Sequence, residues 1–265
     1  MNSQLVSFFF VLFAPFFVLG QVNGDQNLVD PKGAIIIAGM EGQVSVINNL
    51  TKLPLPPEKV QPGGILFDGH TIITGPASKI ILLLTNGTIT TLKPETSLNF
   101  KKFTQEKFDT SKTKLNELKG EPSKSTTIID IEFGDLVVDV KKLDKKSSFN
   151  IESPVGTAGI RGTVPAISVA KLPDGGFTQT TSMLRGEIAF TPKGGGLPTL
   201  LGPGQSLSAG IGPNGVALPM QMGRVSAAFL KSMQADVEAA GSKLGMSFEE
   251  FKQKKIDAEN GSKDA

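Results

Sequence analysis

The side chains that could do chemistry are few. The sequence holds one histidine, His70, and no cysteine. Thiol nucleophiles, disulfides and cysteine metal ligands are therefore excluded. A Ser-His-Asp triad or a multi-histidine metal site would have to centre on His70. Asp68 stands two residues before it in Phe67-Asp-Gly-His-Thr71. A hydrolase needs such a base, an orienting partner and a nucleophile. The same segment reads as a short polar turn between strands, and this is the reading adopted: no catalytic residue, no enzyme. Asp130, Glu132, Asp135 and Asp139 offer the hard oxygens that calcium prefers. Asp130 and Glu132 would share one face of a strand, but Lys141 and Lys142 follow closely, so a solvated sheet face is expected there. Lys193-Gly194-Gly195-Gly196 lacks the Gly-Lys-Ser/Thr ending of a phosphate loop and reads as a hairpin loop. No metal and no cofactor are expected.

The frame that must position these residues is bounded by composition. At 265 residues, with 39% hydrophobic and 20% charged side chains, the chain can bury a sizeable core without staples. The net charge is +2, Trp and Tyr are absent, and the arginines are only Arg161, Arg185 and Arg224. Nucleic-acid binding relies on clustered arginine and stacking platforms, so no nucleic-acid partner is expected. Residues 1–24 carry no charge, and Leu5–Leu19 is almost wholly apolar. Val18 and Gly20 suit cleavage before Gln21, so residues 1–20 read as a signal peptide and 21–32 as a mature lead. The alternative is an uncleaved anchor, which Pro15 argues against. The expected location is periplasmic or secreted, with no stable membrane insertion after cleavage.

From residue 33 the pattern is that of strands. Ala34–Ala38, Gln43–Ile47, Thr71–Thr74, Lys79–Leu84 and Thr88–Leu92 are short apolar or alternating runs. Asn86-Gly87 between two of them predicts a two-residue type I′ hairpin. Ile129, Ile131 and Phe133 alternate with acids, and after Gly134-Asp135 the apolar positions shift to Leu136, Val138 and Val140. That predicts a second hairpin. Phe149–Glu152, Ile160–Ala170, Phe177–Thr181, Glu187–Thr191, Ser206–Ser208 and Val216–Leu218 continue the series. The fold class expected is all-β: an antiparallel sandwich or coil-like β-roll over residues 33–219, with residues 104–126 a solvated insertion. Residues 220–265 form a helical segment. Val225, Phe229, Met233 and Val237 lie at helical spacing, and Ser247-Phe-Glu-Glu250 is a capping box for a second short helix. These helices either pack on the β-domain or form a partner-binding or oligomerising hairpin.

One segment stands out within the strands, Ser153-Pro-Val-Gly-Thr-Ala-Gly-Ile-Arg-Gly-Thr163. Gly159 and Gly162 allow positive φ or close backbone approach, and Gly156 and Ala158 remove bulk. The Arg161 fork of five donors would act as a clamp on a carboxylate or several carbonyls, or else as an exposed anion or partner contact. The segment resembles the signature of the FecR domain through Pro154, Gly156, Ala158, Gly159, Arg161, Gly162 and Thr163. Four further segments agree in order: Gly75–Leu98, Gly134–Val140, Arg185-Gly186-Glu187 and Leu201–Gln205. The arrangement looks like the stand-alone exported FecR-domain proteins of Gram-negative bacteria, especially the Verrucomicrobia type. The resemblance implies no catalytic residues. It implies a non-enzymatic interaction module of the periplasm or envelope whose partner is an unknown envelope protein. The alternative is an accessory sensor in FecR-type cell-surface signalling, in which transmembrane relatives relay a signal from an outer-membrane transporter to a sigma factor, here without the membrane-spanning anti-sigma part.

Overall fold

A computed structural model describes residues 32–108, 118–243 and 250. The expected signal peptide and nearly all of the lead lie outside the described residues, as does the middle of the insertion. The strands are β1 (Ile35–Glu41), β2 (Val44–Asn48), β3 (Ile65–Leu66), β4 (His70–Thr74), β5 (Lys79–Leu84), β6 (Ile89–Leu92), β7 (Ser97–Gln105) and β8 (Ser125–Asp139). They continue as β9 (Ser148–Glu152), β10 (Gly156–Ile160), β11 (Val164–Lys171), β12 (Phe177–Arg185), β13 (Ile188–Pro192), β14 (Thr199–Leu201), β15 (Gln205–Ile211) and β16 (Ala217–Arg224). One helix follows, α1 (Ala227–Ser242). The all-β reading holds.

The strands form two layers joined through β8. The first layer runs β2-β4-β7-β8-β9-β10-β13-β14 and the second β3-β1-β5-β6-β8-β11-β12-β15-β16. Every pairing between these strands is antiparallel except β8 with β9. The main core lies between the layers. Phe100, Phe103, Phe149 and Phe190 enter it from the first layer; Ile35, Leu82, Val138 and Ile167 enter it from the second. Fully burying side chains of this size contributes roughly 1.5–3 kcal/mol each.

The expected hairpin over residues 129–140 does not exist. β8 is one strand of fifteen residues. Its first half pairs β7 and β9 in the first layer, and its second half pairs β6 and β11 in the second. The register against β7 slips between Ile131 and Phe133, leaving Glu132 as the extra residue of a bulge. Gly134 then takes φ +99°. Together they reset the alternation, which is why the apolar parity changes. A Cβ on Gly134 would stand 2.4 Å from the Thr96 Cα and 2.7 Å from the Glu95 carbonyl oxygen.

The Asn86-Gly87 hairpin is present, with a different turn. Gly87 has φ +86° but Asn86 does not have positive φ. Gly87 N donates to Leu84 O, and Leu84 N to Thr88 O. This is a three-residue loop with a type I turn and a glycine bulge. Asn86 keeps ordinary φ because its side chain turns inward. Fully buried, it accepts from Thr88 N and donates to Ser125 Oγ at 3.2 Å.

The C-terminal segment also differs. β16 continues through Arg224, so residues 220–224 are strand where helix was expected. α1 starts after Ser226, whose hydroxyl accepts from Phe229 N. The helix lies on the outer face of the second layer, with Met233 against Val137, Val164 and Ala166, and Ala240 against Ile36, Ile81 and Leu83. Lys93 holds it through Asp236 at 2.7 Å. Of the two short helices expected, this one alone is found as an element among the described residues; of the helix expected after Ser247, only Glu250 is described. No helix among the described residues is long and apolar enough to cross a membrane.

Replacing Gly134 by valine is expected to cost more than ~3 kcal/mol, because a β-branched residue at positive φ also collides with backbone. Urea denaturation of the variant against Gly159→Ala, where a Cβ meets nothing closer than 3.7 Å, checks it.

Candidate functional site

The signature segment is positioned by a hydroxyl. Ser153 Oγ accepts from Val155 N and Gly156 N, at 3.0 and 3.1 Å, closing the turn between β9 and β10. The same hydroxyl donates to Gln179 Oε1. Gln179 is buried on β12 of the opposite layer and donates onward to Thr181. One turn is thereby tied across the core to the facing sheet. Gly156 must be small: its Cβ would stand 2.5 Å from both the Phe190 ring and the Thr191 carbonyl. Ala158 is fully buried, between Ile151 and Phe190 in register. Gly159 has neither positive φ nor a crowded Cβ, so neither reason given for it from sequence applies.

The second half of the segment turns the chain into the other layer. Gly162 has φ +80°, and Thr163 is buried. Thr163 packs on Gly186, where an added Cβ would stand 2.5 Å from its methyl group. That contact explains why Arg185-Gly186-Glu187 accompanies the signature. Arg161 is exposed, yet its Nη2 donates to the carbonyls of Asp144 and Lys145 at 2.9 and 3.1 Å. It holds a turn through two carbonyls and no carboxylate.

On the outer face of the first layer the sheet forms an open trough of about 710 Å³. One cross-strand row runs along its floor: Thr71, Asn99, Asp130, Glu152, Thr157 and Thr191 are successive register partners on β4, β7, β8, β9, β10 and β13. Ser153, Pro154 and Gly156 of the signature line one wall. Asp130 and Glu152 stand directly opposite each other, an unfavourable placement of like charges. Lys101 resolves it, with Nζ 2.7 Å from Asp130 and 2.8 Å from Glu152. The hydrogen bond to Asp130, then that to Glu152, raises the Lys101 pKa above its usual 10.5. Glu132 accepts from Ser97 Oγ at 3.1 Å, and Lys193 closes one end. The trough is hydroxyl-lined, carries three carboxylates and two ammoniums, and has no aromatic wall. It suits hydrogen bonding to an extended polar segment rather than stacking.

The other residues singled out in the sequence are dispersed. Asp68 accepts from Phe103 N and pairs with Lys32 at 3.3 Å. His70 turns away from it and donates from Nδ1 to the Phe67 carbonyl at 3.1 Å. The four acids read as one solvated face are split between the layers. Asp130 and Glu132 face the trough, whereas Asp139 is buried, its carboxylate 2.7 Å from Arg185 and 3.2 Å from Lys141. No group of three or more metal-ligating side chains occurs among the described residues. The Asp130–Lys101–Glu152 bridge and the Asp139–Arg185 pair were not anticipated. The Lys and Arg partners lie 29 to 51 positions away, and only their turn-flanked strands could have hinted at them.

Residues 70–188 match the family model described as FecR protein, so the chain carries a FecR domain over that span. No curated protein matches the sequence. Two crystal structures, each described as a candidate anti-sigma factor from Parabacteroides distasonis, are similar to the chain at 12% and 11% identity, each with a TM-score of 0.44. They cover 62% of this chain. The chain in turn spans 64% and 63% of their lengths.

Two outcomes are expected. Lys101→Met should leave Asp130 and Glu152 facing each other and lower stability by up to ~1 kcal/mol at neutral pH. Because its pKa is raised on folding, the contribution of Lys101 is complete below the ordinary lysine value and is lost as pH rises through the folded value. The stability difference between wild type and variant should therefore shrink only in strongly alkaline buffer, as followed by denaturant midpoints across pH. Arg161→Ala should speed amide exchange over residues 144–147, while Arg161→Lys, with a single point donor, restores only part of the protection.

Proposed function

We infer that this chain is a partner-binding module of FecR-type cell-surface signalling, of the stand-alone exported type found in Gram-negative bacteria such as Verrucomicrobia. It works outside the inner membrane and performs no catalytic step. The observation that carries this reading is the coincidence of the FecR match with the trough: the matched span of residues 70–188 supplies nearly the whole row from Thr71 to Thr157, and the signature turn forms one wall. The occupant is an extended polar segment of an envelope protein. It presents main-chain groups to the hydroxyls of the row and a basic side chain to the carboxylates that outnumber the lysines. Lys101, held by two acids, sets the geometry of the floor and keeps the like charges from splaying the sheet.

Two features support non-enzymatic binding over turnover. His70 and Asp68 are engaged by different partners, His70 by the Phe67 carbonyl and Asp68 by Phe103 N and Lys32. The trough contains no imidazole, and its carboxylates are engaged by Lys101 and Ser97.

In-cell photocrosslinking from Asn99 or Thr157 on fractionated envelope tests the reading. The expected result is one specific envelope protein, with the yield reduced at least tenfold by Asp130→Lys. Recovery from cytosol alone, or a yield indifferent to Asp130→Lys, overturns it.

A further inference from the structure

The two ends of the sandwich are unlike. At one end the outermost strands are covered. β2 is flanked by the segment Leu53–Leu55, through Asn48 N to Leu53 O at 3.0 Å and Leu55 N to Val46 O at 2.7 Å. Beside it, β3 is only two residues long. At the other end β16 is eight residues long, pairs only β15 among the described residues, and is exposed at every position. Exposed edges in soluble proteins are normally shortened, covered or guarded by charge, lysine above all. Here β16 has no lysine or acid, and its proline and bulge leave the edge free from Met220 to Arg224. In a chain with 20% charged residues, the stretch from Gly194 through Gly223 has none, and it supplies β14, β15 and β16 up to Arg224.

The free side of β16 has a defined register. Val225 N donates to Gly204 O. By the alternation of an antiparallel ladder, Gly223 and Gln221 then aim their main-chain groups at β15, where they oppose Ser206 and Ser208. Met220, Met222 and Arg224 aim theirs outward. Pro219, at the bulge opposite Ala209, has no N–H and ends the free ladder there. Three outward residues at every second position are self-complementary about Met222.

We propose that two copies of this chain join through the free edges of β16, as antiparallel neighbours with Met222 on the twofold axis and Met220 of each opposite Arg224 of the other. This register opposes no like charges. It covers Met220 and Met222, which are 39% and 49% exposed, and thioether side chains adapt readily to such contacts. The free ladder of five residues, Met220–Arg224, spans about 17 Å. The contact falls below the size of stable specific interfaces, so the dimer should dissociate on dilution. The association uses neither the trough nor α1, and it stands apart from the signalling reading.

Sedimentation velocity on the full chain, from ~1 to ~100 µM, should show monomer passing to dimer, as an interface of this size implies. Met222→Lys sets two ammoniums across the axis and should raise the dissociation constant at least tenfold, with circular dichroism unchanged because the side chain is exposed. In the cysteine-free chain, Met222→Cys should oxidise to a covalent dimer at least tenfold faster than Leu50→Cys, which is 90% exposed near the covered end. A wild type that stays monomeric throughout overturns the proposal. So does a dimer indifferent to Met222→Lys, equal crosslinking at the two cysteines, or an edge that takes up another protein's strand instead of its own copy.

Discussion

The fold depends on one strand serving two sheets. β8 passes the bulge at Glu132, leaves the first layer after Phe133, and enters the second layer at the left-handed Gly134. Everything before β8 builds one flank of both layers, and everything after it builds the other. Its neighbours, β6, β7, β9 and β11, are fixed by where it crosses. The crossing also needs Thr96 immediately beside it. Thr96 Oγ1 accepts from Asp135 N at 2.9 Å and approaches the Asp135 carbonyl at 3.1 Å, so the backbone groups freed by the irregularity find partners. An added methyl group at Gly134 would meet this same residue.

Buried polar contacts, not apolar packing alone, hold the layers in register. The Ser153 hydroxyl reaches Gln179 across the core, and Asn86 reaches Ser125 beneath its own turn. Thr85 Oγ1 donates to Gln105 Oε1 at 2.6 Å while accepting from Ala34 N. Apolar contacts tolerate a two-residue slip of a strand, because the same face remains inside. A buried amide left without its partner does not. The trough inherits its precision from these links: the cross-strand row is straight only if six strands keep one alignment, and Ser153 anchors the strand pair β9–β10 at its middle.

Most strand positions were legible because turn residues and alternation are local; β7 was not read as a strand, and its last two residues and the first two of β8 fall in the stretch expected to be a solvated insertion. The all-β class, the hairpin at Asn86-Gly87 and the signature segment all followed from neighbours in sequence. What failed was whatever depended on distant neighbours. Gly134-Asp135 between two alternating runs gives the same local signal for a hairpin and for a kinked strand, and only the partners β6 and β9 distinguish them. Asn86 tolerates positive φ in isolation, but its inward side chain decides otherwise. Asp139 looks like a sheet-face acid until Arg185, 46 positions later, is brought to it. The helical stripe beginning at Val225 was real, whereas the strand nature of Met220–Arg224 was hidden because an edge exposed on both faces shows no alternation. The trough was not visible at all, since its floor draws on residues from Thr71 to Thr191 whose alignment exists only in the folded sheets.

The covered end has a consequence of its own. Pro54 lies against Ile47, and its neighbours occupy the outward main-chain groups of β2. Any strand gained at the opposite extremity therefore cannot be passed along: the stack has one open terminus and one stopper. A protein with two such open termini could propagate into ribbons, the hazard inherent in head-to-tail contacts. In this chain Leu53-Pro54-Leu55 lie along that second edge, so an addition at β16 would not be repeated at β2.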